Sequence, residues 1–276
     1  MTIPQNDPRI ARASQTYACD TPVVILCGGR GTRFREQTER RPKPMIEVAG
    51  RPLIWHIMRF YSGHGFNNFV LCLGYMGDGI KRYFLNFAAL ENDFTLRLSD
   101  PDSIEYHREL DVKWNVTCVD TGSHAMTGAR LKRVAQYLTS ENFMLTYGDG
   151  LSNVDIPRLL DFHLRHGKLA TVTGVHPAGR FGELCVSGSN VTRFSEKPVE
   201  SGRINGGFFV FRREFLDYVS DEDSCVLERE PLEAASDNGE LQMFSHDGYW
   251  QCMDTFRDLT LLESAWNGGD APWRTW

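Results

Sequence analysis

Short apolar runs alternate with amphipathic stretches through the first half of the chain. Residues 23–27 (Val-Val-Ile-Leu-Cys), 69–73 (Phe-Val-Leu-Cys-Leu) and 143–147 (Phe-Met-Leu-Thr-Tyr) are such runs. Bounded by turn residues, they predict strands covered on both faces. Between the first two, Leu53, Ile54, Ile57, Met58 and Tyr61 line one helical face behind Pro52, and Gly63 and Gly65 end it. Ile80, Tyr83, Phe84 and Phe87 mark a second helical face. Asp155 reads as a helix N-cap, with Pro157 in the first turn and His166 and Gly167 at the end, before a strand at Ala170–Val175. The rhythm then shortens, with strands predicted at Glu183–Ser187, 191–195 and 205–211 and helices near 228–238 and 255–267. The charged stretch 100–119, strand-like only over 114–119, reads as an excursion from the sheet. The pattern predicts an α/β fold: a doubly wound, mostly parallel sheet with a small β-rich lobe built from the later strands.

At 276 residues the chain suits one domain spanning 21–276, in which a part near 21–150 and a part near 151–276 divide the work. Residues 1–20 are polar, carry two prolines and lack an apolar core, so they read as a flexible leader and not as a signal peptide. A net charge of −6 argues against nucleic-acid and membrane-surface partners, so any phosphate site has to be a local cationic pocket. No apolar run reaches the ~20 residues that span a bilayer. The seven cysteines include no C-x-x-C pair and several sit in apolar runs, as expected for a reducing cytoplasm.

The first strand runs straight into Gly28-Gly29-Arg30-Gly31-Thr32-Arg33, and Arg41-Pro42-Lys43-Pro44 follows. Glycines let a polyanion reach backbone N–H groups, while Arg33 and Lys43 supply charge for a triphosphate. Phe34 stands where a dinucleotide fingerprint needs a small residue, and the Gly-Lys-Ser/Thr of a P-loop is absent. Asp149 follows the carboxyl end of a predicted strand between two glycines, the place where open α/β sheets bind ligands. Asp254 can join it as a Mg²⁺ ligand, or cap the helix that follows. Glu196-Lys197 and Asn205 each begin or end a short strand; in isolation a surface ion pair and a turn asparagine explain them better, and their order after the loop and Asp149 is what suits them to a sugar phosphate. Thr127-Gly128-Ala129-Arg130 reads as a helix start whose free N–H groups can meet a base or phosphate. His163 and His166 fall at a helix end, where positive charge suits the macrodipole better than a metal reading.

The Gly-Gly-x-Gly-Thr-Arg loop with its downstream Pro-Lys-Pro resembles the sugar-phosphate nucleotidylyltransferases. The blocks Leu53-Ile54-Trp55-His56-Ile57-Met58, Val119-Asp120-Thr121-Gly122, Thr146-Tyr147-Gly148-Asp149-Gly150, Gly179-Arg180-Phe181-Gly182, Ile204-Asn205-Gly206-Gly207 and Ala271-Pro272-Trp273-Arg274 resemble its cytidylyltransferase branch. The resemblance implies a Rossmann-like nucleotidyltransferase core that joins CTP and glucose 1-phosphate, or a related hexose 1-phosphate, with Mg²⁺, in a homo-oligomer that is hexameric in this branch. It implies that Leu26, Gly28, Gly29, Gly31, Thr32, Thr127, Gly128, Arg130 and Gly148 contact the nucleotide. Arg33, Lys43 and Lys197 would carry catalysis, Asp149 and Asp254 the metal, and Gly182, Glu196, Lys197 and Asn205 the sugar phosphate. A uridylyl- or thymidylyltransferase, or a nucleotide-binding paralogue without chemistry, is the alternative. The chain departs from the branch at Ala129, where a second glycine is usual; if the position needs a positive φ, alanine strains it.

Overall fold

A computed structural model describes residues 20–29, 41–176, 183–187, 189–195 and 202–276. Its centre is a seven-stranded sheet in the order β14-β10-β13-β8-β1-β4-β7. Strand β1 (Val23–Leu26) lies between β4 (Asn68–Leu73) and β8 (Asn142–Tyr147), parallel to both, and β7 (Asn115–Asp120) extends the parallel set beyond β4. On the other side β13 (Ile204–Arg212) runs antiparallel to β8 and to β10 (Ala170–Val175), which pairs in parallel with β14 (Leu241–His246). Only β13 therefore opposes the common direction, and the sheet is mostly parallel as the alternation predicts.

Alternation along β1 divides the core. Val23 and Ile25 face the layer of α1 (Leu53–Gly63), α5 (Ile156–His166) and α7 (Phe256–Asn267); Val24 and Leu26 face α4 (Thr127–Arg133) and α6 (Glu230–Asp237). Every residue of β1 is buried, the mark of a strand with helices on both sides. Helix α5 starts as predicted: Asp155 accepts from the Arg158 backbone N–H at 2.9 Å, and Gly167 ends it at φ 64°.

Three expectations change. Residues 115–120 belong to the main sheet as its edge strand, and the excursion is the hairpin of β5 (Phe94–Arg97) with β6 (Asp100–Tyr106). The helical face at 80–87 is broken at Asn86, whose side-chain amide donates to the Arg82 carbonyl at 2.7 Å, giving α2 (Gly77–Leu85) and α3 (Phe87–Glu91). Strand β14 has no counterpart in the sequence reading, because an edge strand that alternates with polar residues and is half exposed leaves a weak apolar signal. The small lobe includes β11 (Glu183–Ser187) paired with β12 (Asn190–Ser195) outside the main sheet.

Candidate active site

The chain order reverses at β1: β4 and β7 lie on one side, β8 on the other. In a doubly wound sheet such a switch opens a crevice at the carboxyl ends of the two central strands. Gly28 and Gly29 leave β1 there, and Gly148 and Asp149 leave β8. The Gly148 N–H donates to the Leu26 carbonyl at 3.1 Å. A Cβ on Gly148 would lie 2.8 Å from that oxygen and 2.9 Å from the Pro44 ring, so glycine is what lets strand end and Pro-Lys-Pro turn close together.

Lys43 opens the 3₁₀ turn Lys43–Met45, preset by Pro42 at φ −66°. Across the crevice, β9 (Gly150–Ser152) pairs antiparallel with β15 (Trp250–Cys252), and the Met253 N–H donates to the Asp149 carbonyl at 2.8 Å. That pairing brings Asp254 beside Asp149. The cap of α7 is Thr255, in a capping box with Asp258, so the Asp254 side chain is left for the site and not spent on the helix. Lys43 Nζ donates to Asp149 Oδ2 at 2.7 Å and to Asp254 Oδ1 at 2.6 Å. Burial pulls the ammonium's pKa down, but the charge and hydrogen bonds of Asp149, with Asp254, override it and hold it well above the usual lysine value.

Asp149, Asp254 and Cys252 present ligand atoms within 4.8 Å of one another. Two carboxylates at that spacing, partly open to solvent, fit a divalent cation with oxygen preference, and waters or phosphate oxygens can complete its shell. Burial and then Asp149 push the Cys252 thiol far up, so it sits in the site as a neutral group.

On the nucleotide side the structure redirects two expectations. The N–H groups of Gly128 and Ala129 are not free: both donate to the Cys225 carbonyl, at 3.0 and 3.2 Å. Arg130 is 4% exposed and its guanidinium donates to the carbonyls of Leu73 (3.0 Å), Gly122 (2.9 Å) and Gly28 (2.9 Å) and to the Thr121 hydroxyl (2.8 Å). It is a strut that ties the ends of β1, β4 and β7 together beneath the glycine loop. Ala129 sits inside α4 and is not among the residues with positive φ, so it carries no strain. The Thr127 hydroxyl donates to Glu228 Oε2 at 2.6 Å and accepts from the Leu227 N–H at 2.9 Å.

On the opposite side Asn205 Nδ2 donates to the Tyr147 hydroxyl at 2.9 Å, and that hydroxyl donates to Glu228 Oε1. The Trp250 indole donates to the Gly206 carbonyl at 2.7 Å, tying β15 to the start of β13. Gly31, Thr32, Arg33, Gly182, Glu196 and Lys197 lie outside the described residues. Tyr147, Glu228 and Cys252 are the site residues that the sequence reading misses. Tyr147 had a signal, as the polar end of a predicted strand before Gly148-Asp149; Glu228 and Cys252 had none.

The histidine reading also changes. His163 is 1% exposed, its Nδ1 lies 2.8 Å from the Thr171 hydroxyl, and burial lowers its pKa to about 3. It is neutral, so it packs as a core residue and gives the helix end no positive charge. The five cysteines with described side chains are all free, and no described helix is long and apolar enough to cross a membrane.

A doubly wound sheet with two carboxylates and a lysine at its switch point suits an enzyme that handles a phosphate-bearing substrate with a divalent cation. The chain belongs to the Nucleotidyl transferase family, whose profile matches residues 22–264. Within it, the glucose-1-phosphate cytidylyltransferase of Salmonella typhi is 48% identical over 92% of this chain and 99% of its own length. A Bacillus subtilis protein named probable glucose-1-phosphate cytidylyltransferase is 39% identical over 92% and 99%. Among solved structures, a putative glucose-1-phosphate thymidylyltransferase from Bacillus anthracis superposes with a TM-score of 0.62 at 16% identity, over 88% of this chain and 94% of that one, a likeness of fold.

Proposed function

We propose that this protein transfers a cytidylyl group from CTP to glucose 1-phosphate or a closely related hexose 1-phosphate, giving the CDP-sugar and pyrophosphate. The observation that carries the chemistry is Lys43 held between Asp149 and Asp254 at the crevice, at 2.7 and 2.6 Å. The choice of CTP and of the sugar rests on the likeness to the Salmonella and Bacillus relatives.

The physical obstacle is repulsion between a sugar phosphate and a triphosphate. A sugar phosphate has a second pKa near ~6, so at neutral pH it is already a dianionic nucleophile and needs no general base. One of its phosphate oxygens attacks the α-phosphorus of CTP, the bond from that phosphorus to the bridging oxygen breaks, and the electron pair leaves on pyrophosphate. Asp149 and Asp254 would hold Mg²⁺, which when bound offsets charge on the triphosphate. With the carboxylates committed to such a cation, Lys43 would be free to pair with phosphate oxygens of the substrates. Arg33 and Lys197 are proposed to do the same from the glycine loop and the sugar side. Arg130 serves the nucleotide indirectly, by holding the Gly28 carbonyl and so the shape of the loop. Gly29, Gly31, Thr32, Thr127 and Gly128 are proposed to contact the nucleotide, and Gly182, Glu196 and Asn205 the sugar phosphate. On this reading, residues 21–150 are chiefly the nucleotide-binding part and 151–276 the sugar-binding part.

We also propose a homo-oligomer. The β5–β6 hairpin and its approach leave Leu98 86% exposed and Leu85 84%, with Phe94 and Ile104 each 43%, and a two-stranded hairpin has little stability of its own. The function is tested by pyrophosphate release with Mg²⁺ from CTP, UTP, dTTP and ATP, each with glucose 1-phosphate. Release with CTP far above the others is the expected result; release with another nucleotide reassigns the base, and none with any of the four moves the sugar to a related hexose 1-phosphate first and the protein to a nucleotide-binding paralogue without chemistry second.

A further inference from the structure

Four polar side chains from four separate segments form one chain of hydrogen bonds across the crevice. At one end, Asn205 at the start of β13 has its amide fixed twice. Oδ1 accepts from the Gly207 N–H at 2.8 Å, and Nδ2 donates to the Tyr147 hydroxyl at 2.9 Å. These two bonds settle which end of the amide is oxygen. The Tyr147 hydroxyl spends its single proton on Glu228 Oε1, and Glu228 Oε2 accepts the single proton of the Thr127 hydroxyl at 2.6 Å. Every donor in the chain thus points toward Glu228, a carboxylate that can only accept.

Glu228 is itself anchored. The neighbouring Leu227 N–H donates to the Thr127 hydroxyl at 2.9 Å, and the Cys225 carbonyl takes the N–H groups of Gly128 and Ala129. The segment 225–228 is therefore clamped on the start of α4, and from there Glu228 reaches the end of β8, two residues before Asp149. Among the described residues nothing takes the second amide hydrogen of Asn205, and Asn205 is exposed. A donor held in a fixed direction toward solvent suits a ligand oxygen that can only accept, as a phosphate oxygen does. A charged terminal acceptor also polarises the hydroxyl between it and the amide, which strengthens the whole chain.

We propose that Glu228 is a positioning residue for the sugar phosphate: by holding the Tyr147 hydroxyl it fixes the Asn205 amide, whose remaining N–H is presented to an oxygen of the hexose 1-phosphate. The inference rests on the cytidylyl-transfer reading for its substrate. Glu228 touches neither substrate, and acts through Tyr147.

The test is a double-mutant cycle of Glu228→Gln, Tyr147→Phe and the pair, with steady-state KM for glucose 1-phosphate, KM for CTP, kcat and Tm for each. A carboxamide can serve only one of the two hydroxyls, and phenylalanine removes the link. Tyr147→Phe is expected to raise KM for glucose 1-phosphate about tenfold, the loss of one charge-assisted hydrogen bond, with KM for CTP within about twofold. Glu228→Gln is expected to raise KM for glucose 1-phosphate by a similar factor, and KM for CTP as well to the extent that it releases Thr127. The double variant is expected to have a KM for glucose 1-phosphate no worse than either single, because both cut the same chain. Equal rises in both KM values in Tyr147→Phe, multiplying effects on KM for glucose 1-phosphate in the pair, or a fall in Tm with unchanged KM would each overturn it. If Glu228→Gln does not fold, Tyr147→Phe carries the same expectation alone. A wild type inert toward glucose 1-phosphate overturns that substrate and this inference with it; an active wild type with any of the contrary patterns overturns the inference only.

Discussion

Lys43 does two things with one ammonium group. It neutralises two carboxylates that it bridges at 2.7 and 2.6 Å, and on the proposed reading it would meet phosphate once a divalent cation takes that role. Lys43→Met should therefore reduce turnover on the order of 100-fold. It should also lower Tm without divalent cation, and Mg²⁺ at millimolar level should raise Tm in the variant more than in the wild type, read by thermal unfolding. An equal Mg²⁺ response in both would mean that the carboxylates do not share a cation site with the lysine. Asp149 and Lys43 were legible in the sequence because a glycine pair and a proline pair mark them within a few residues. Glu228 was not. Its partners Thr127 and Tyr147 are 101 and 81 residues away, and no local spacing encodes a contact made only by the fold. Arg130 was legible as a cation near the site, but whether a guanidinium meets a ligand or a carbonyl depends on the burial that the fold imposes.

At the scale of elements, the end of β1 that leads into the glycine loop is held by a buried side chain. The ends of β1, β4 and β7 converge on the Arg130 guanidinium, and a Cβ on Gly28 would run into it. Gly28→Ala should force Arg130 out of its carbonyl cage and move the loop. We expect KM for the nucleotide to rise about tenfold or more, with Tm lowered, while KM for the sugar phosphate stays within about twofold. A rise confined to the sugar phosphate would place the loop on the wrong side of the crevice. The central parallel strands were plain in the sequence because strands covered on both faces are continuous apolar runs. Strands β14 and β5 lie at edges, where half the positions are polar, and their pairing is set by neighbours instead of by their own composition.

Across the whole molecule, the carboxyl-terminal segment returns to the first helix. Trp273 is fully buried and its indole donates to His56 Nδ1 at 3.4 Å, while His56 Nε2 lies 2.9 Å from the Val48 carbonyl. Both ring nitrogens are engaged by a neutral imidazole, and burial lowers the His56 pKa from 6.5 to about 4. With the folded value depressed, the unfolded chain takes the proton first. This contribution to stability is complete above pH 6.5 and is lost as pH falls from there through 4, on the order of 3 kcal/mol in all. Denaturant unfolding of wild type and His56→Gln at pH 7 and pH 4.5 checks this: the wild type should lose more stability between the two than the variant. Parallel loss in both would assign the acid sensitivity elsewhere.

The proposed chemistry places Asp149 and its neighbours at the crevice where two phosphates become one product. The most direct measurement is mass spectrometry of the product formed from CTP and glucose 1-phosphate with Mg²⁺, by wild type and Asp149→Asn in parallel, with Tm recorded for both. The predicted result is CDP-glucose from the wild type and less than about 1% of that rate from a variant that melts within a few degrees of it. CDP-glucose at near-equal rates from both would contradict the site, and its absence from the wild type would contradict the function.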